Sequence, residues 1–308
     1  MTLQQLEYIV AVYRYRHFGK AAEECGVTQP TLSAMIQKLE NELSVKLFNR
    51  SSQQVIPTQV GRLVVEQAWK VLSRAHKIED IVAEEKHSLS GIFKLGVLPT
   101  IAPYLLPRFF PHFVSKHPDL DLRVIEMKTE DIKKALAKGT IDAAIIVKLD
   151  DMNEYQLHTL FYEQFLAYVS RNDRLFNHKN IKLSDLDAEF LWLLDEGHCF
   201  RDQLIRFCNL KSAKASKETY SLGSIETFMR MVESGLGMTF IPELALEQLS
   251  ESQKQLVRTF ALPIPTREIV FMTNRSFLRH SVLQALTDAV VKSVPPRMLK
   301  LNNTEQRI

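Results

Sequence analysis

The sequence predicts a modular chain: an all-α head carrying a small β wing, one long linking helix, and an α/β remainder. Three observations lead there. Three amphipathic helical segments crowd the N-terminal stretch, the run from Gln59 to about His87 holds no proline and keeps a continuous apolar seam, and beyond Ser90 strand-like apolar runs alternate with helical ones.

At 308 residues the chain exceeds one typical domain and can bury two or three cores. A net charge of +3 is too small to announce nucleic acid by global electrostatics, so local pattern must carry any such argument. No run approaches the ~18 apolar residues of a membrane helix, and the N-terminus lacks a signal-peptide pattern. The expectation is a cytoplasmic protein with no membrane partner. Three cysteines, Cys25, Cys199 and Cys208, are too few for a disulfide scaffold, so any disulfide here would be regulatory.

In the head, Leu3, Leu6, Ile9, Val10 and Tyr13 recur at helical spacing, and the turn-like His17-Phe18-Gly19 ends that helix. A short second helix, Lys20 to Cys25, presents Ala21, Ala22 and Cys25 inward before Gly26. Thr28 suits an N-cap and Pro30 a first turn, and Leu32, Met35, Ile36, Leu39 and Leu43 stripe a third helix. Its polar residues, Gln29, Thr31, Ser33, Gln37 and Lys38, together with Thr28 and Pro30 at its start, suit a helix N-terminus laid in a major groove. Phe48 to Pro57 reads as a two-stranded wing offering Arg50 and Ser51 to phosphate. These features describe a winged helix-turn-helix and equally a plain three-helix module with a polar surface.

The run Ala21–Gly61, AAEECGVTQPTLSAMIQKLENELSVKLFNRSSQQVIPTQVG, resembles the N-terminal domain of LysR-type transcriptional regulators at its AA, Q-P-T-L-S, I-x-K-L-E, L-F-x-R and T-x-x-G landmarks. The resemblance implies double-stranded promoter DNA as the partner of residues 1–58. It departs at Ala34, where the family often has a polar residue, so no base contact is transferred there. Within the head, Arg14, Arg16, Lys20, Lys38, Lys46 and Arg50 are nearly balanced by Glu7, Glu23, Glu24, Glu40 and Glu42, so one copy should bind DNA weakly.

Val64, Ala68, Val71, Ala75, Ile78 and Val82 alternate steps of four and three across residues 59–88, which is a heptad seam widened by Leu63, Leu72 and Ile81. Such a helix pairs with a second copy, giving a twofold homodimer, or is buried on its own chain. The family resemblance further implies a homotetramer and RNA polymerase as a partner.

Strands are expected at Phe93–Leu98, Leu122–Met127, Ala143–Val147 and Met238–Ile241, after a hinge at Gly91. The resemblance implies an effector domain of two α/β lobes like the periplasmic binding proteins, lobe I from 91–161 plus 267–300 and lobe II from 162–266. Thr100 and Thr129, each just beyond a strand, occupy positions that suit ligand contact or simple helix capping.

The sharpest chemistry lies in GHCFRDQLIRFC, residues 197–208. Cys199 between His198 and Arg201, at a helix start, is a credible thiolate nucleophile, and Cys208 is a candidate partner for it. If residues 200–208 are helical, nine steps of about 100° set the two cysteines about 13 Å apart along the axis. A disulfide needs Cα atoms within roughly 7 Å, so it requires unwinding. Two buried structural thiols remain the plain alternative. No second Cys/His pair at finger spacing points to a metal, and no cofactor is expected. The segment resembles that of the hydrogen-peroxide-sensing branch of the LysR-type family. That resemblance implies Cys199 as the peroxidatic thiol and Cys208 as the resolving thiol. It places His198, Arg201, Asp202, Thr100, Thr129 and Arg267 around the peroxide, and implies control of oxidative-stress genes by a regulator that is not an enzyme. Phe200 and Leu204-Ile205-Arg206 depart from the commoner residues. An organic effector, or a thiol peroxidase fused to a DNA-binding head, are the competing readings.

Overall fold

The computed structural model describes residues 1–49, 55–186, 191–194, 200, 201, 203, 205, 224–235 and 237–308. Two compact units make up the chain: Met1–His87 with Ala135–Thr140, and Ser88–Lys134 with Ile141–Ile308.

In the first unit, helices α1 (Leu3–Tyr15), α2 (Phe18–Glu24) and α3 (Gln29–Leu43) precede the wing strands β1 (Phe48–Asn49) and β2 (Ile56–Pro57), which pair antiparallel. The long helix α4 (Gln59–Glu85) follows. Thr2 and Gln5 close a capping box on α1, and the buried Gln5 also donates Nε2 to the Met35 carbonyl, tying α1 to α3. The sequence placed the second helix at Lys20. It starts at Phe18, because the His17 ring accepts the Lys20 N–H and so converts the expected turn into a cap. Gly26 adopts φ +64° and ends that helix as expected. Thr28 caps α3, and Leu32, Ile36 and Leu39 are fully buried, each contributing roughly 1.5–3 kcal/mol of burial. Leu43, expected in that stripe, is exposed instead.

The T-x-x-G landmark has a structural cause. Thr58 Oγ1 caps α4 by accepting the Gly61 N–H (2.9 Å) and donates to the Lys46 carbonyl (2.8 Å). A Cβ on Gly61 would lie 2.0 Å from the Leu47 carbonyl oxygen, so only glycine lets α4 approach the wing this closely. The I-x-K-L-E landmark ends on Glu40, whose buried carboxylate accepts the N–H groups of Leu47 (2.7 Å) and Phe48 (3.3 Å) and fixes the turn into β1.

Along α4, Val65, Ala68 and Leu72 are buried in the head, while Leu63, Val71, Ile78, Ile81 and Val82 are exposed. Ala68 therefore leaves the predicted seam for the head's own core.

The second unit opens with β3 (Gly91–Val97), α5 (Ala102–Lys116), β4 (Leu120–Glu126), α6 (Thr129–Lys138, whose residues from Ala135 on fall in the first unit) and β5 (Ala143–Val147). Strand β3 pairs parallel with both β4 and β5. Then come β6 (Tyr155–Val169), β7 (Asn180–Ile181), β8 (Leu191–Trp192), α7 (Ile225–Glu233) and β9 (Met238–Pro242). A short α8 (Glu251–Lys254), β10 (Val257–Phe260), β11 (Ile264–Asn274), α9 (His280–Ser293) and β12 (Glu305–Arg307) complete it. The strands expected from sequence appear as β3, β4, β5 and β9.

Two long strands, β6 and β11, were not expected, and they organise the unit. The first part of β6, Tyr155–Gln164, runs antiparallel to β11, which in turn pairs with β5. From Phe165 onward β6 pairs with β9 instead, with β8 parallel beyond it. One continuous strand thus serves two sheet segments, giving a curled mixed sheet.

Candidate functional site

On α3, Thr28, Gln29, Pro30, Thr31, Gln37 and Lys38 are all exposed and Ser33 is half-exposed, so the predicted contact residues lie on the solvent-facing side of the helix. Thr28 spends its hydroxyl within the cap, bonding Thr31 Oγ1 (2.8 Å) and accepting the Thr31 N–H. The helix N-terminus itself adds donors and a positive dipole end suited to phosphate. Arg50 and Ser51 lie outside the described residues.

In the second unit, Val97 of β3 and Glu126 of β4 are direct partners in a parallel ladder. Thr100 and Thr129 each follow by three residues and so emerge at the same sheet end. Neither acts as a helix cap. Ile101 is the N-cap of α5 and has no side-chain cap bond, and Thr129 is already the first residue of α6.

Thr100 Oγ1 instead accepts from Arg267 Nη1 (3.2 Å), and its carbonyl accepts from Nη2 (3.0 Å). Thr129 Oγ1 is buried and has no hydrogen-bond partner among the described residues. Arg267 is fully buried and pairs with Glu163: its Nε donates to Oε2 (2.8 Å), and its Nη2 lies 2.6 Å from the same oxygen. Glu163 Oε1 also accepts the Leu244 N–H (3.0 Å), so its charge is fully committed.

The segment that follows Cys199 in sequence reaches this cluster through Phe200. Its ring packs on Phe165 (4.8 Å between centroids) and lies under the Arg267 guanidinium (5.2 Å). Phe200, Arg201, Gln203 and Ile205 are helical, as expected for the segment after Cys199. Spacing of i and i+3 puts Phe200 and Gln203 on one face, and both are buried. Cys199, Cys208, His198 and Asp202 lie outside the described residues. The structure therefore brings together Thr100, Arg267 and Phe200.

Sequence reading missed Glu163 and Tyr104. A lone carboxylate inside the apolar run of β6 was the available signal for Glu163. Tyr104, buried on α5, donates to Glu226 Oε1 on α7 (3.0 Å). Burial first, then the Glu226 charge, pushes its phenol well above the ordinary range, so it is a neutral donor.

The third cysteine is different in kind. Burial pushes the Cys25 thiol up, with Glu7 and Glu24 adding to the effect, so it is a poor nucleophile. Among the described residues no His/Cys/Asp/Glu group could hold a metal ion, and no helix is long and apolar enough to cross a membrane.

Comparison with known proteins bears on the family and the fold. Residues 3–62 match the bacterial regulatory helix-turn-helix model of the LysR family, and residues 86–295 match the LysR substrate-binding domain model. The hydrogen peroxide-inducible genes activator of Dickeya chrysanthemi is 34% identical over 303 residues, covering 98% of this chain and 99% of its own. A full-length OxyR mutant from Pseudomonas aeruginosa superposes with a TM-score of 0.75 at 34% identity, covering 96% of this chain and 99% of that one. An OxyR mutant from Porphyromonas gingivalis gives a TM-score of 0.67 at 44% identity, covering 71% of this chain and all of that one. With the head and the second unit each matched by a model of this family, the chain belongs to the LysR family of DNA-binding bacterial transcriptional regulators and is not an enzyme.

Proposed function

We propose that this regulator senses hydrogen peroxide through Cys199 and Cys208 and controls oxidative-stress genes from promoter DNA. The carrying observation is the seating of Phe200, the residue after Cys199, against an Arg267 guanidinium that also holds Thr100. A helix start that follows Cys199 in sequence favours thiolate, and the Thr129 hydroxyl, buried and without a hydrogen-bond partner among the described residues, suits a small polar oxidant.

The chemistry balances without a cofactor. The Cys199 thiolate attacks one peroxide oxygen, the O–O bond breaks, and the departing hydroxide takes a proton and leaves as water. The Cys208 thiolate then attacks the sulfenic sulfur, the S–O bond breaks, and a second water leaves. Both cysteines are oxidised and the peroxide is reduced. His198, Arg201 and Asp202 are assigned to shaping the peroxide site around Cys199.

The same reading assigns residues 1–58 to DNA binding and 59–88 to dimerisation, with 91–161 plus 267–300 as lobe I and 162–266 as lobe II. The change of β6 partners after Gln164 supports that division. Exposure of Val71, Ile78 and Val82 on α4 supports a homodimer, which family kinship extends to a cytoplasmic homotetramer acting with RNA polymerase.

Peroxide treatment followed by mass spectrometry and promoter footprinting tests the proposal. It predicts one intramolecular Cys199–Cys208 disulfide and an altered footprint, both abolished by Cys199→Ser, with Cys25 left as a thiol. An unchanged thiol count and footprint overturn it and favour an organic effector. Rapid multiple turnover of peroxide with a reductant would favour a thiol peroxidase.

A further inference from the structure

Gln203 lies between the two redox cysteines, is buried, and donates Nε2 to the backbone carbonyl of Ile308 (2.6 Å). Ile308 extends the strand β12, which runs parallel to β11 with Ile264, Pro265 and Thr266 opposite Glu305, Gln306 and Arg307. The Ile308 N–H continues that ladder onto the Thr266 carbonyl (3.1 Å).

Side chains fasten the strand further. Gln164 Nε2 donates to Glu305 Oε1 (2.6 Å), and Arg307 Nη1 donates to the buried Glu268 (2.8 Å). Thr266 is also the residue immediately before Arg267. One stretch of β11 therefore holds one face of the redox helix at two points, Phe200 through the Arg267 guanidinium and Gln203 through β12.

We propose that β12 and Ile308 are a positioning element for the redox switch, with Gln203 as the residue that docks on it. The proposal rests on the disulfide reading above. On that reading, joining Cys199 to Cys208 unwinds the helical stretch that carries Phe200, Arg201, Gln203 and Ile205, and that withdraws Gln203 from Ile308. The contact exists in the helical arrangement only, so it stabilises the reduced state and sets the peroxide dose at which the switch yields. Gln203 acts on the thiols through the backbone and takes no part in the chemistry.

The test uses the full-length protein with two variants. Gln203→Glu keeps the shape but removes the donor, and Arg307→Ala loosens β12 while leaving Gln203 intact. Hydrogen–deuterium exchange of the reduced protein should rise within residues 200–208 in both. In a glutathione buffer, the midpoint [GSH]²/[GSSG] needed to reduce the disulfide should increase roughly 2- to 10-fold, the equilibrium worth of one hydrogen bond. Wild-type exchange and midpoint in both variants overturn the proposal. Because the exchange measurement needs no oxidation, it still decides the docking role if the wild type forms no disulfide, an outcome that would sink the peroxide reading instead.

Discussion

Glu163 and Arg267 face each other directly across the β6–β11 ladder and close a 2.6 Å ion pair with each side chain only 1% exposed. Burying two charges costs several kcal/mol each, and the loss is offset only when every remaining hydrogen-bonding group is satisfied. Here the Leu244 N–H and both oxygens of Thr100 complete the set. The pair thereby fixes the Thr100 turn in place.

Removing one partner should therefore cost far more than removing both. Glu163→Gln is expected to destabilise the protein by roughly 3–5 kcal/mol in urea unfolding, since it strands a buried guanidinium. The double variant Glu163→Met with Arg267→Met should recover part of that loss. Equal losses in the two would show that the pair is not coupled.

Gly61→Ala tests the approach of α4 to the wing. In an open helix the change would stabilise by about 0.5–1 kcal/mol, but a Cβ 2.0 Å from the Leu47 carbonyl must displace backbone. The net expectation is destabilisation of roughly 1–3 kcal/mol, read as a lower melting temperature of the head together with weaker DNA binding.

How much of this was readable beforehand follows from where charge is buried. The head was legible because Thr28, Pro30 and Gly26 punctuate it locally and Leu32, Ile36 and Leu39 keep helical period. The error at its second helix came from His17, a residue rarely used as a cap. Strands β6 and β11 escaped notice because Glu163 and the trio Thr266-Arg267-Glu268 break their apolar runs, and only the fold reveals that these charges neutralise one another. Thr100 and Thr129 were found by position after a strand, but that reading could not tell that Thr100 answers to Arg267 rather than to a helix end.

Glu268 gives the regulatory unit an acid-sensitive limb. Burial opposes its charge, yet hydrogen bonds from Thr159, Arg307 and Lys148 outweigh burial and hold its carboxyl below the ordinary 4.5. A depressed carboxylate contributes stability fully above its unfolded value, and that stability is lost as pH falls through the folded value. Glu268→Gln should flatten the stability–pH curve below about pH 4.5 while lowering stability at neutral pH. A slope matching wild type would assign the limb to other groups.

On α4, Ile78 is 67% exposed, an unusual position for a large apolar residue at the centre of a helix face. Ile78→Glu should leave the head folded by circular dichroism but shift sedimentation toward the monomer and weaken operator binding. A dimer of wild-type strength would place the partner interface elsewhere.

Lys38 is exposed on α3 and stands apart from its core face. Lys38→Ala should weaken binding to all DNA sequences alike and reduce the slope of log affinity against log salt by about 1 per head. Loss confined to one operator sequence would instead make it a base-reading residue.

Helix α4 gives its Val65, Ala68 and Leu72 to its own head and keeps Val71, Ile78 and Val82 outward. A single rigid rod thus carries both registers, and it works as a ruler with a phase. Each residue added between the two sets turns the head by about 100° and advances it by about 1.5 Å. One extra residue would aim the recognition helix away from its groove, whereas seven would nearly restore its bearing about 10 Å further out. With the outward set as the dimer seam proposed above, the length of this segment becomes part of the operator's address, fixed in the protein as firmly as base sequence is fixed in the DNA.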